Sequence, residues 1–293
     1  MRAFCLSIHS TYQCAHSGAC CTAGWPIAIE SGGLKTLVPV TADGACVFFD
    51  RDGGRLCAIQ RDAGVEAMPT ACRNFPRITL RDPRGIFITL SHFCPTAARM
   101  LLTTKDIAIV EAPASISLGG NVEGLDATGV MPPLLRSGML MDLEGYTAWE
   151  HAAIGVLNDR RHAPDEAVEI IAAATRDARA WSPGRTTLGS TIVAAFERAR
   201  AAHQSADTTE HPSYEHALKA FLSAHLFASW AAYEGEGLKA VVETVRTALD
   251  LVGTAFAGDD DFIESVRAAD LRLRHHVSRT RLTPDAFHRT PDP

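Results

Sequence analysis

The chain has 293 residues, of which 46% are hydrophobic and 21% charged, and its formal net charge is −6 at pH 7. These values are typical of a folded globular protein of one or two domains and exclude an intrinsically disordered chain. Residues 1–110 carry 11 Lys and Arg against 8 Asp and Glu, and the remainder carries 17 against 26. Neither imbalance predicts nucleic-acid or membrane binding, and no apolar run reaches the roughly 18 residues that span a bilayer.

The cysteines are confined to the first third of the chain. Such confinement indicates a metal site, an iron–sulfur cluster or a disulfide framework. The N-terminus has no apolar run typical of a signal peptide, so we expect a cytoplasmic protein whose thiols stay reduced and bind metal. The eight residues are Cys5, Cys14, Cys20, Cys21, Cys46, Cys57, Cys72 and Cys94.

The first cysteine group runs from Cys14 to Cys21 and contains Gly18. A glycine there allows the backbone to turn so that the sulfurs converge. Adjacent Cys20 and Cys21 would point to opposite faces of a strand, so they can serve one site only from a turn or the start of a helix.

A first hairpin is predicted between Cys46 and Cys57. The apolar run Cys46-Val-Phe-Phe is separated from Arg55-Leu-Cys57 by an Asp- and Gly-rich turn at residues 50–54. The midpoint of this arrangement lies between residues 51 and 52, which would place the two cysteines opposite each other.

A second hairpin is predicted from Arg77-Ile-Thr-Leu, the turn Asp82-Pro-Arg-Gly85 and the strand Ile86–Leu90. Pro and Gly occupy positions of the turn that suit type I geometry. Cys72 and Cys94 flank this hairpin almost symmetrically, so we expect them at the same end of it.

Seven thiols, all except that of Cys5, are therefore expected to be neighbours. One four-thiolate site uses four of them, and the others form a second site or pack as small buried hydrophobes. By spacing alone, a structural zinc site is favoured over an iron–sulfur cluster, although thiolate sets of this kind serve both.

The second half of the chain reads as helical. A Gly- and Pro-rich stretch at residues 111–134 predicts a linker between a cysteine-cluster domain (1–110) and a helical domain (135–282), and residues 283–293 predict a flexible tail. The expected fold class is α+β, mostly α, with short β-hairpins followed by a helical bundle. Apolar residues at helical spacing predict six helices, at Glu144–Arg161, Pro164–Trp181, Thr187–Gln204, Ser213–Tyr233, Gly237–Phe256 and Asp261–Val277.

Four cysteine motifs follow one another in a distinctive order. The motifs are Cys20-Cys-Thr-Ala-Gly-Trp-Pro-Ile-Ala-Ile-Glu30, Cys46-Val-Phe-Phe with Leu56-Cys-Ala-Ile-Gln60, Thr70-Ala-Cys-Arg-Asn-Phe-Pro-Arg77, and Ser91-His-Phe-Cys-Pro-Thr-Ala-Ala-Arg99. Over residues 14–99 they resemble the motifs of the flagellin lysine N-methylases, within the wider CxxCxxCC group of zinc- or iron-chelating proteins.

The resemblance implies a cysteine-held 4Fe-4S cluster, with zinc as the alternative, and S-adenosylmethionine as methyl donor to a protein lysine. The acceptor would be a protein with surface lysines, such as flagellin. The chain departs from the group's motif at Ser17, where a cysteine is expected. A four-thiolate site would then recruit later cysteines or His16. A non-catalytic zinc- or iron-binding protein is the alternative function, and S-adenosylmethionine binding separates the two.

Three residues near the cysteines are candidates for cofactor binding: Trp25, Arg73 and Arg77. Trp25, together with Tyr12, can form an aromatic wall for a sulfonium or an ammonium group. The simpler alternative is that Trp25 packs under the hairpins. The arginines can screen the charge of a cluster or bind a carboxylate, and otherwise they are surface residues.

Overall fold

The structure is a computed structural model. It describes the chain except for residues 32–33, 53, 117–123, 130–131, 185, 204–212, 257–260 and 275–293. The predicted flexible tail and two of the four glycines of the predicted linker, Gly119 and Gly120, fall outside the described residues.

The described strands form a five-stranded sheet and two small hairpins. The order in the sheet is β6-β1-β5-β4-β7, in which β1 runs parallel to β5, and β4 runs parallel to β7. The strands are β1 Ala3–Leu6, β2 Ala28–Ser31, β3 Leu34–Leu37, β4 Arg77–Asp82, β5 Gly85–Leu90, β6 Ile109–Glu111, β7 Leu125–Asp126, β8 Leu134–Arg136 and β9 Met139–Leu140.

The second predicted hairpin is confirmed. Strands β4 and β5 are antiparallel, with Arg77 opposite Leu90 and Asp82 opposite Gly85. The Asp82 carboxylate accepts a hydrogen bond from the backbone N–H of Arg84 at 2.8 Å, which stabilises the turn.

Four short helices lie among the cysteines and six longer ones follow in the described part of the chain. All six predicted helices are present. Apart from the end of α8, their described ends differ from the predicted ones by three residues or fewer, and the predicted ends at Gln204 and Val277 lie outside the described residues. The helices are α1 Ala19–Thr22, α2 Ala58–Ala63, α3 Thr70–Asn74, α4 Pro95–Met100, α5 Leu143–Asn158, α6 Pro164–Arg179, α7 Leu188–Ala202, α8 Ser213–Leu226, α9 Leu238–Phe256 and α10 Phe262–Arg274.

The largest difference is at the end of α8, where the sequence predicts a helix as far as Tyr233. The helix ends at Leu226, and a separate 3-10 turn spans Trp230–Tyr233. Ala228 between them has φ 55°, and its N–H donates to the buried Glu150 carboxylate at 3.1 Å. A side chain far away in sequence thus ends this helix, and the local pattern gives no sign of it.

The sheet and the helices share one apolar core. Its buried residues include Leu80 and Phe87 of the sheet together with Trp149 and Phe221 of the helices. Because β7 pairs with β4, residues from the predicted linker also belong to the sheet. The division into domains at 110 and 134 stays a prediction, whereas the α+β, mostly helical fold is confirmed.

Among the described residues, no helix is both long enough and apolar enough to cross a membrane.

Candidate functional site

A cavity of about 230 Å³ lies between the short helices and loops of the first 94 residues. It is lined by the same seven cysteines that the sequence groups together, while Cys5 is buried in β1. The lining cysteines are Cys14, Cys20, Cys21, Cys46, Cys57, Cys72 and Cys94. We call this space the thiol cavity.

Cys20 and Cys21 lie on the short helix α1, as their adjacency requires. Gly18 precedes the helix with φ 73°, and a Cβ at this position would lie 2.5 Å from Cζ of Phe49. Glycine therefore provides both the left-handed turn and the close approach of two chain segments. The turn leaves the two Sγ atoms 3.9 Å apart on the cavity wall.

The first predicted hairpin forms with a different register, so the predicted pairing of Cys46 with Cys57 is wrong. Phe49 lies opposite Cys57, and Cys46 pairs with Val40 instead. The turn is displaced along the chain because two consecutive residues, Gly54 (φ 87°) and Arg55 (φ 60°), adopt left-handed conformations. Both cysteines nevertheless line the thiol cavity. The Cys46 N–H donates to the Cys21 carbonyl at 2.7 Å, which holds Cys46 beside α1.

The remaining thiols are positioned by the ends of secondary-structure elements. Cys57 and Cys94 immediately precede α2 and α4, and Cys72 lies on α3. Strands β4 and β5 connect α3 to α4, so the hairpin brings Cys72 and Cys94 to one end, as predicted. Cys14 is exposed, and Cys94 is buried in an apolar cluster with Tyr12.

Charge interactions divide the seven thiols into two groups. Burial, followed by the charges of Cys20, Cys57 and Cys46, raises the pKa of Cys72 to about 12. The hydrogen bond between Cys20 and Cys21 lowers the pKa of Cys20 and raises that of Cys21. These five thiols form the inner group, because each changes the pKa of another thiol of the group or has its own pKa changed by one.

The outer group consists of Cys14 and Cys94 around Tyr12. The Tyr12 hydroxyl lies 3.8 Å from the Cys94 Sγ, and burial followed by the two thiols raises its pKa. The Arg77 guanidinium lies 5.5 Å from the centre of the Tyr12 ring. A phenol held in this way stays protonated at neutral pH and can donate a hydrogen bond.

Apart from the thiols, the ionisable side chains of the described cavity lining are mostly basic. Three arginines, Arg55, Arg73 and Arg77, are among the described residues that line it, and no Asp or Glu is. Arg73 donates to the Glu66 carboxylate at 2.8 Å. Arg77 donates to the carbonyls of Ser115 and Ile116.

Trp25, a predicted cofactor-binding residue, packs among aromatic residues and not in the wall of the thiol cavity. Trp25 does not line the thiol cavity, and its ring packs 5.3 Å from those of Phe75 and Phe93. This is the arrangement expected if Trp25 only packs under the hairpins. The aromatic residues that line the cavity are Tyr12, Phe48 and Phe75.

The thiols are not arranged around a single ion. In a tetrahedral zinc site with Zn–S bonds of about 2.3 Å, the four sulfurs lie roughly 4 Å from one another. Among the described residues, no three His, Cys, Asp or Glu side chains converge closely enough to hold one metal ion. The seven thiols instead line a cavity of about 230 Å³, a space larger than one ion.

Sequence reasoning missed a buried polar network next to Phe93 and Cys94. One Asp270 oxygen accepts hydrogen bonds from the Ser91 hydroxyl at 2.6 Å and the Phe93 N–H at 3.1 Å. The other oxygen lies 3.1 Å from Arg274 Nε and 3.2 Å from His225 Nε2. An acidic residue on the buried face of a helix is the signal that could have revealed this network.

Two further histidines extend the network. His9 Nε2 and His92 Nε2 lie 3.1 Å apart, and both rings are fully buried. Burial holds the pKa of His9 at about 3, so the pair is neutral at pH 7 and shares a single N–H between the facing nitrogens. The network therefore fixes the loop that leads into Cys94.

Comparisons of the chain with protein-family models, with characterised proteins and with solved structures give no match.

Proposed function

We propose that the thiol cavity holds an iron–sulfur cluster and that the protein transfers a methyl group from S-adenosylmethionine to lysines on another protein. One observation carries the first half: seven thiols line a single cavity whose described lining contains three arginines and no carboxylate. The second half rests on the resemblance to the flagellin lysine N-methylases. A cytoplasmic location belongs to the same proposal, because such clusters need reduced thiols.

The residues present fit a cluster in number and in charge. A 4Fe-4S cluster takes four thiolates, and the inner group supplies five candidates, namely Cys20, Cys21, Cys46, Cys57 and Cys72. When bound, such a cluster supplies an electron carrier or an iron site open to a further ligand. The arginines would offset the negative charge of cluster and thiolates, which lowers the penalty of holding four thiolates in a partly buried site.

The chain's own residues have a limited role in proton transfer. The acceptor lysine must lose a proton, because its ammonium form has no lone pair and an ordinary pKa near 10.4. Tyr12 is a poor base because its raised pKa keeps it protonated. Among the described lining residues, His16 alone carries an imidazole that can accept a proton.

The first test is metal and sulfide analysis of anaerobically purified protein. We expect about four iron and four sulfide per chain. Cys57→Ser and Cys72→Ser should each lower that content, because both thiols belong to the inner group. Cys5→Ser is the matched control: its thiol is buried in the sheet, so the variant should keep its iron and lose only stability. Stoichiometric zinc without sulfide would contradict the proposal.

The second test is calorimetric titration of the cluster-loaded protein with S-adenosylmethionine. Binding, followed by transfer of a labelled methyl group to lysines of a lysate protein, supports the methyltransferase.

The lack of an acidic side chain in the described cavity lining favours a second candidate, a non-catalytic metal-binding protein. An intact cluster without S-adenosylmethionine binding would support that candidate.

A further inference from the structure

Arg55 lies at the open side of the thiol cavity. It lines the cavity and is exposed, whereas Cys57, two residues later, is buried. Its backbone has φ 60°, in the left-handed region that residues with a Cβ rarely adopt. The preceding Gly54 is also left-handed, with φ 87°, so glycine would be the expected residue at position 55 as well. An arginine in this conformation is therefore a candidate functional residue.

Arg55 differs from the other arginines of the cavity in its contacts. Arg73 is paired with Glu66, and Arg77 donates to two backbone carbonyls. Within the described part of the chain, Arg55 has no hydrogen bond or ion pair. Its planar guanidinium is therefore able to bind a carboxylate through two parallel hydrogen bonds.

We infer that Arg55 binds the carboxylate of the amino-acid part of S-adenosylmethionine at the mouth of the thiol cavity. The inference rests on the proposed function, because it takes that molecule as the ligand. The carboxylate is the only anionic group of S-adenosylmethionine, whose amine and sulfonium are cationic. The arginines of the described cavity lining can attract that end of the molecule.

The test compares four proteins loaded with the cluster to the same iron and sulfide content: wild type, Arg55→Ala, Arg55→Gly and the control Arg51→Ala. Arg51 is an exposed arginine of the same loop that does not line the cavity. Calorimetry with S-adenosylmethionine should show binding roughly tenfold to a hundredfold weaker in both Arg55 variants, the value of a charged hydrogen-bonded pair. The Arg51 variant should bind like wild type.

A second ligand and a stability measurement separate binding from folding. 5′-Methylthioadenosine lacks the amino-acid part, so all four proteins should bind it with equal affinity. Arg55→Gly should melt no lower than Arg55→Ala, because glycine adopts φ 60° without strain. Equal S-adenosylmethionine affinity in wild type and Arg55→Gly would overturn the inference, as would an equal loss for both ligands. A wild-type protein that binds no S-adenosylmethionine would overturn the proposed function itself.

Discussion

The loops around the thiol cavity and the helical part of the molecule are stabilised in different ways. From residue 13 to residue 79, the described buried apolar residues are few: Ala19, Ile27, Val38, Ala45 and Cys57. The single helix α6 buries more: Ala167, Val168, Ile170, Ile171, Ala172, Ala174 and Ala178. Burial of each larger apolar side chain contributes about 1.5–3 kcal/mol, so the helical part has its own source of stability and the cysteine loops have little. The comparison indicates that the loops depend on their ligand to stay folded.

The strongest test of this comparison is removal of the proposed cluster. Binding of a metal centre to a site that the unfolded chain lacks can contribute on the order of 10 kcal/mol to folding. Chelation under oxidising conditions should therefore abolish hydrogen-exchange protection of amides between residues 14 and 75. Amides of α5, α6 and α9 should keep their protection, because their core contains no metal ligand. Equal protection of the cysteine loops with and without metal would show that they fold by themselves.

The next test concerns the polar network that joins the two parts. Asp270→Asn leaves the Arg274 guanidinium, which is mostly buried, without the fully buried carboxylate that it pairs with. Loss of one partner of a buried ion pair destabilises by about 3–5 kcal/mol. Thermal or urea unfolding should show this loss with and without metal, since the network contains no cysteine. The control is Asp177→Asn, which removes an exposed pair with Arg198 and should change stability by less than about 1 kcal/mol. Similar stabilities for the two variants would contradict a structural role for the network.

The elements that could be predicted are those determined by residues close together in the sequence. The hairpin β4–β5 and the six helices follow from turn residues and apolar spacing, and the grouping of seven thiols follows from their order in the chain. The register at Phe49 and Cys57 could not be predicted, because it depends on Arg55 adopting a conformation that few arginines adopt. The contacts of Asp270 with Ser91 and Phe93 join residues about 180 positions apart. Pattern reasoning places an acidic helix residue in solvent unless a distant partner is known.

A loss of stability in mild acid is also expected, and it arises in the same network. Burial holds the pKa of His9 at about 3 and that of His225 at about 4, both far below the ordinary 6.5. The groups that face them are His92, Asp270 and Arg274. Because the folded state keeps both rings neutral, their contribution to the free energy of unfolding is fully present above pH 6.5. It is lost as the pH falls below 6.5, because the unfolded chain then takes up protons that the folded chain does not.

His9, His92 and His225, whose pKa values burial lowers, should each lower the free energy of unfolding by about 1.4 kcal/mol per pH unit between pH 6.5 and pH 4. Asp270 adds nothing in this range, because its own pKa is lowered below the ordinary 3.8 and the carboxylate stays ionised in both states. Urea unfolding of the helical part at pH 7.0, 6.0 and 5.0 measures the slope. His225→Gln should reduce the slope by about a third, because His9 and His92 remain. A slope independent of His225 would mean that acid acts on the cysteine loops and not on the core they lie against.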